Sequence, residues 1–208
     1  MAVEAIIWIT AAYFIGAIPF GFIIGKMRGM DVRTVGSKNI GATNVFRTVG
    51  KKWGLLAFAL DVTKGLAPTI LARCFASGSW IPLAVGVACV TGHMLTPYMK
   101  FKGGKGVATG FGMLMALIPV HCALAFAIFS LTFAASNYIS LGSCTAAAFL
   151  GVSVWIKIGG FAGYGDVPQA VLVTLVAVFV IFKHRANIKR LIDGNENKIY
   201  LFGKAKAA

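Results

Sequence analysis

Between Gly106 and Ile156 the chain runs for 51 residues without one Asp, Glu, Lys or Arg. A soluble domain carries charge on about a quarter of its residues, so a stretch like this is not suited to an aqueous surface. It is also too long for one membrane span, which takes roughly 20 apolar residues. Pro119–His121 and Ser136–Ser140 supply the natural breaks. They divide it into Val107–Ile118, Val120–Ala135 and Leu141–Trp155, of which the first two are short for spans. The alternative is one long helix from Gly106 to Ala135. Val3–Gly25, Trp53–Ala72, Trp80–Met99 and Pro168–Phe182 are further apolar runs, and only 12% of the whole chain is charged. The expected fold is an all-α polytopic membrane protein, with residues 1–208 forming a single membrane-embedded domain. Met1–Ala5 has no basic segment, and its one charge is Glu4, so the first run is expected to stay as a span and not be cleaved as a signal peptide.

The cations decide how many runs cross. Of 20 Lys and Arg, 17 fall in three polar islands, Lys26–Lys52, Lys100–Lys105 and Lys183–Lys206. Cytoplasmic loops collect such residues. Seven spans with the N-terminus outside bring all three islands to the cytoplasmic side, leaving Arg73 and Lys157 outside and Lys64 within a span. Six spans would strand the third island on the opposite face. The charge pattern therefore favours seven transmembrane helices and a cytoplasmic C-terminus. It also removes the usual reason to read a net charge of +14 as nucleic-acid binding, because cations flanking spans serve topology and attract anionic headgroups.

The islands hold more than topology requires. Gly36-Ser37-Lys38-Asn39-Ile40-Gly41-Ala42-Thr43-Asn44-Val45-Phe46-Arg47 packs short donors and acceptors beside an arginine that can grip phosphate in two places. By composition it suits either a connecting loop or a site for hydroxyls and phosphate. In Lys100-Phe101-Lys102-Gly103-Gly104-Lys105-Gly106 the glycines precede a helix start. Exposed N–H groups, the helix N-terminus and three lysines there would receive phosphate. The spacing fits neither a Walker A loop nor GxGxxG. His184, Asn187 and Arg190 recur every three residues and share a face if helical. Asp61 and Lys64 are spaced to pair inside a span. Gly21-x-x-x-Gly25 and Gly106-x-x-x-Gly110 would permit close helix packing. Cys74, Cys89, Cys122 and Cys144 are scattered and are read as small packing residues, and His93, His121 and His184 lack metal-ligand spacing.

Together the islands resemble the motifs of the bacterial acyl-phosphate-dependent glycerol-3-phosphate acyltransferases. The matching residues are Gly36-Ser37-x-Asn39-x-Gly41-Ala42-Thr43-Asn44-x-x-Arg47, then Phe101-Lys102-Gly103-Gly104-Lys105-Gly106-Val107-Ala108-Thr109, then His184-x-x-Asn187-Ile188-x-Arg190-Leu191 with Gly194 and Glu196. Asp61-Val62-x-Lys64-Gly65 and Gly92-His93 are similar too, while Lys183 stands where an arginine is expected.

The resemblance implies a seven-span enzyme of the bacterial inner membrane with its site facing the cytoplasm. It would move a fatty acyl group from acyl phosphate to the 1-hydroxyl of sn-glycerol 3-phosphate, giving lysophosphatidic acid and inorganic phosphate. The implied catalytic residues are Ser37, Arg47, Lys105, His184 and Asn187. Substrate would be bound by Asn39, Asn44, Lys102, Gly103, Gly104, Gly106, Thr109, Ser143, Arg190 and Glu196. The expected partners are glycerol 3-phosphate, fatty acyl phosphate and membrane lipid, with no nucleic acid, no metal and no cofactor, and the expected state is monomeric. The chain lacks the His-x4-Asp pair of soluble-type acyltransferases, so the base is either His184 or a substrate phosphate oxygen. The rival function is a small organophosphate transporter, although the charge-poor outer loops suit a one-sided enzyme better. A lipid-binding scaffold would explain the basic face but not the clustered asparagines and glycines.

Overall fold

The computed structural model describes residues 1–156 and 167–200, without the side chains of residues 167–169. The outer loop expected over Gly159–Asp166, Lys157, and Lys204 and Lys206 of the third island lie outside the described residues. Every helix is an α-helix except the 3-10 turn Pro97–Met99. In order they are α1 Ala2–Ala17, α2 Phe20–Met27, α3 Ala42–Thr48, α4 Lys51–Phe75, α5 Ile81–Met94, α6 Val107–Leu117, α7 Pro119–Ser136, α8 Ile139–Ser153, α9 Val167–Lys183 and α10 Arg185–Ile192. The described residues contain no strand.

Each of the seven apolar runs is helical. Ala2–Met27, Lys51–Phe75, Ile81–Met99 and Pro119–Ser136 are long and apolar enough to cross a membrane. A fifth crossing arises if Ala170–Lys183 is counted with Arg185–Ile192, from which it is bent by 53°. α6 and α8 have 11 and 15 residues. At 1.5 Å per residue they reach only about 17 and 23 Å. The single long helix weighed for Gly106–Ala135 does not form. α6 ends at Leu117, Ile118 turns out of helical geometry, and α7 starts at Pro119, the position a helix tolerates best for a residue without an N–H. The second break is also realised: α7 ends at Ser136, and Asn137 takes a left-handed φ of 62° before α8.

The chain forms two compact units, Met1–Pro119 and Val120–Ala208. In the first, α1 runs along α5 and α4 along α6. Glycines set the closest approaches. A Cβ on Gly65 would stand 2.1 Å from the Thr109 carbonyl oxygen, and one on Gly112 2.1 Å from that of Val62, so α4 and α6 meet backbone to backbone. At the GxxxG pairs, Gly21 admits the Ile40 carbonyl and Val45 of α3, and Gly25 admits the segment Met30–Val32. Gly106 and Gly110 both face Val90 of α5, which a Cβ would meet at 3.2 and 3.9 Å. Large apolar side chains such as Ile6, Ile7, Phe14, Leu55 and Leu71 stay exposed on these helices, as lipid-facing residues do.

α1 and α2 are separated at Ile18–Pro19, where proline cannot donate to the helix ladder. The carbonyl of Ile18 accepts from Lys64 Nζ at 2.8 Å and from the Phe20 N–H at 3.1 Å. These bonds serve a polar group that lipid could not. The second unit pairs α8 with α9, and α10 touches both. Trp155 Nε1 donates to Thr174 Oγ1 at 3.0 Å, and Phe126, Phe129 and Phe133 stack along α7.

Candidate active site

The first island is held by Asn44, which lies in α3 and is only 1% exposed. Its Oδ1 accepts the Ser37 N–H at 2.9 Å, and its Nδ2 donates to the carbonyls of Val32 and Val35 at 2.8 and 3.2 Å. Gly36 has φ +59°, and a Cβ there would stand 2.4 Å from Asn44 Oδ1, so only glycine fits. Asn39 Oδ1 accepts the N–H of Gly41, the residue that opens α3, at 2.8 Å. Asn39 and Asn44 thus shape the loop with the polar atoms expected to face substrate. Ser37 is left exposed, and Arg47 lies half-buried in the last turn of α3. Just before this loop Arg33 clamps Asp31 through Nε at 2.9 Å and Nη2 at 2.7 Å. These bonds hold the Asp31 carboxyl well below the usual range.

The second island follows α5. Lys100 and Phe101 both have left-handed φ, near 53° and 60°, and Gly106, with φ 80°, opens α6. Two glycine N–H groups are not turned outward as expected. Gly103 donates to the Met94 carbonyl at 3.0 Å and Gly104 to the His93 carbonyl at 3.1 Å, because the loop folds back onto the end of α5. Lys102 is exposed and Lys105 half-buried. Thr109 is fully buried, its carbonyl pressed on Gly65. Met99, the residue just before the second island, joins Val32, Ile40 and Val45 of the first island, with Ile24 and Ala57, in one apolar cluster. That packing brings the first two islands together within one unit.

The third island centres on Glu196, which is 6% exposed. Its Oε1 accepts from Asn187 Nδ2 at 2.7 Å and from Ser140 Oγ at 2.9 Å, and its Oε2 from Arg190 Nε at 2.7 Å. Burial pushes this carboxyl up, but the bonds from Asn187, Arg190 and Ser140 outweigh it, and the net shift is downward. Asn187 and Arg190 do share one face of α10, and that face meets a carboxylate. His184 precedes α10, is 4% exposed, and directs Nδ1 at the Val180 carbonyl, 2.8 Å away. A carbonyl only accepts, so Nδ1 carries a proton in this arrangement. Ser143 Oγ donates back to the Ile139 carbonyl at 2.9 Å within α8.

Two further residues join these sites without having been expected to act in them. Ser140 lies 56 residues from Glu196, too far for any local pattern to link them. His93 was visible only as half of a Gly-His pair, yet its ring lies directly beneath Gly104.

A glycerol-3-phosphate acyltransferase family model matches residues 6–194. Glycerol-3-phosphate acyltransferases of Trichlorobacter lovleyi and Aquifex aeolicus are 44% and 40% identical to the chain, over 92% and 94% of it and 95% and 99% of their own lengths. The chain belongs to the glycerol-3-phosphate acyltransferase family. A crystal structure of PlsY, described as an integral membrane glycerol 3-phosphate acyltransferase in its glycerol 3-phosphate form, superposes with a TM-score of 0.85. It is 38% identical and covers 94% of this chain and 96% of its own. A lysophosphatidic acid form gives 0.83 at the same identity. Membership identifies this chain as a bacterial membrane acyltransferase of lipid biosynthesis.

Proposed function

We propose that the chain transfers a fatty acyl group from acyl phosphate to the 1-hydroxyl of sn-glycerol 3-phosphate at the cytoplasmic face of the inner membrane. The observation that carries this reading is the loop Lys100–Gly106. There a left-handed glycine opens α6 beside three lysines, in a chain closely similar to an acyltransferase crystallised in glycerol 3-phosphate and lysophosphatidic acid forms. The first N–H groups of α6 have no partners within the helix. With Gly103 and Gly104 turned to α5, the N–H groups of Val107–Thr109 and the Lys105 side chain become the natural phosphate donors. Lys102 adds charge at the loop edge, and exposed Ser37 with Arg47 would orient the glycerol 3-phosphate.

Acyl phosphate is an activated anhydride, so the protein has to position two anions and stabilise the charge that develops on the carbonyl oxygen. The 1-hydroxyl oxygen bonds to the acyl carbon, and the bond from that carbon to the phosphate oxygen breaks. The hydroxyl proton passes to a phosphate oxygen, which leaves as inorganic phosphate. No covalent acyl-Ser37 intermediate is required. Ser143, His184, Asn187, Arg190 and Glu196 keep the roles the family resemblance gives them, with Glu196 acting by holding Asn187 and Arg190. Seven crossings, counting α6 and α8, follow from the positive-inside pattern. The monomer and the single functional domain belong to the same reading.

Purified protein given labelled glycerol 3-phosphate and palmitoyl phosphate should yield lysophosphatidic acid. Absence of product, with glycerol 3-phosphate transport in proteoliposomes, would overturn the proposal. His184→Ala should retain turnover if phosphate takes the proton. Loss of turnover with unchanged substrate binding would assign the base to His184.

A further inference from the structure

Asp61 and Lys64 on α4 and His93 near the end of α5 form a charged cluster buried inside the first unit, 2%, 4% and 5% exposed. Lys64 Nζ lies 2.7 Å from Asp61 Oδ1 and also donates to the Ile18 carbonyl. His93 Nδ1 is 3.7 Å from the same carboxylate oxygen, within ion-pair range but beyond a hydrogen bond, and makes no hydrogen bond. The opposite edge of the ring faces Gly104. A Cβ on Gly104 would stand 2.1 Å from His93 Nε2, and the next two atoms it would meet, at 3.0 and 3.1 Å, belong to the same ring. Gly104 is not among the residues with positive φ. Its lack of a side chain is therefore demanded by the histidine and not by backbone geometry. The His93 carbonyl also accepts the Gly104 N–H, so one residue touches the loop through both ring and backbone.

Charges buried at membrane depth are costly, and an apolar cluster would pack as well. Closure of α4 on α6 is already accounted for by Gly65 and Gly112. Of the three residues, His93 is the one that touches the loop, with its ring under Gly104 and its carbonyl bonded to the Gly104 N–H. We propose that His93, backed by the Asp61–Lys64 pair, is a positioning residue that sets the conformation of the Gly103–Gly106 loop for binding substrate phosphate. The proposal rests on reading that loop as the phosphate site. His93 does not act as a base in this arrangement, because a hydroxyl could reach Nε2 only by displacing Gly104.

A double-mutant cycle with His93→Ala and Gly104→Ala tests it. Each single variant should raise KM for the substrate whose phosphate the loop holds about tenfold or more while kcat stays within about threefold, as for lost binding geometry. Inhibition by inorganic phosphate should weaken in parallel. In the double variant the space vacated by the ring admits the new Cβ, so its KM should be no higher than that of His93→Ala alone, a strongly non-additive result. Asp61→Asn/Lys64→Met removes both charges without orphaning either. Monodisperse in detergent, it should reproduce the His93→Ala effect.

Additive effects in the cycle, or a wild-type KM in the charge-free pair, would overturn the proposal. So would a His93→Ala variant that loses kcat at unchanged KM, which would place the ring at the reacting atoms. Lys105→Ala separates the two levels. If it leaves both KM values unchanged, the phosphate reading fails and this inference with it. If it raises KM while the cycle is additive, only the inference fails.

Discussion

Asn44→Ala should loosen the loop that carries Ser37 without unfolding the protein. The side chain makes three hydrogen bonds, to the Ser37 N–H and to the Val32 and Val35 carbonyls. Ser37 is exposed and Val35 half-exposed, so water can replace those two partners, and each loss is worth about 0.5–1 kcal/mol. Val32 is fully buried, and its orphaned carbonyl costs about 1–3 kcal/mol. The sum is about 3 kcal/mol, or roughly a hundredfold in a local opening equilibrium. Hydrogen exchange followed by mass spectrometry in detergent should therefore show protection over residues 32–37 falling about a hundredfold while α4 and α5 are unchanged. KM for glycerol 3-phosphate should rise in the same variant. Asn44→Asp should be at least as damaging, since a carboxylate can accept from Ser37 but cannot donate to two carbonyls. Wild-type exchange in this segment for Asn44→Ala would refute the role assigned to the side chain.

Lys105→Ala and Arg47→Ala should each lower kcat/KM by about two orders of magnitude or more in the labelled-product assay, as loss of a charge-assisted phosphate contact does; wild-type rates would refute the phosphate assignment. Gly65→Ala should destabilise the protein by about 1–3 kcal/mol, because its Cβ would strike the Thr109 backbone. Gly110→Ala, whose Cβ would meet Val90 at an ordinary contact distance of 3.9 Å, should be near neutral, and thermal unfolding in one detergent compares the two. Glu196→Gln removes the charge-assisted bond from Arg190 and should cost about 1–3 kcal/mol. The folded Glu196 carboxyl titrates below its ordinary value of 4.5. Its stabilising contribution is therefore complete above that pH and is lost as pH falls through the lower folded value. Exchange protection of residues 185–200 should thus decline below about pH 4.5 in the wild type and be insensitive to that titration in Glu196→Gln.

The apolar helical runs and the breaks at Pro119 and Asn137 were legible in sequence because their causes are local, whereas the break at Ile18–Pro19 inside the first run was not read. Pro119 cannot continue the helix before it, and Asn137 tolerates a left-handed turn. The Asp61–Lys64 pair was legible for the same reason, since residues three apart on a helix face each other. Which polar groups face a ligand was not legible. Asn44, Gly103, Gly104 and Glu196 all read as substrate contacts, yet their polar atoms are bonded within the protein. A residue type states what a group can bond to; only packing states which partner has already taken it.

By itself the sequence determined the membrane class, the helical runs and the three cationic islands, because hydropathy and charge act on the chain locally whatever its neighbours. The tertiary structure decided that Gly104 is glycine on account of His93, that Lys64 answers the carbonyl freed before Pro19, and that Ser140 reaches Glu196 across 56 residues. Those pairings join helices distant in sequence. Burial makes each one compulsory, since polar groups removed from water must find their partners within the protein.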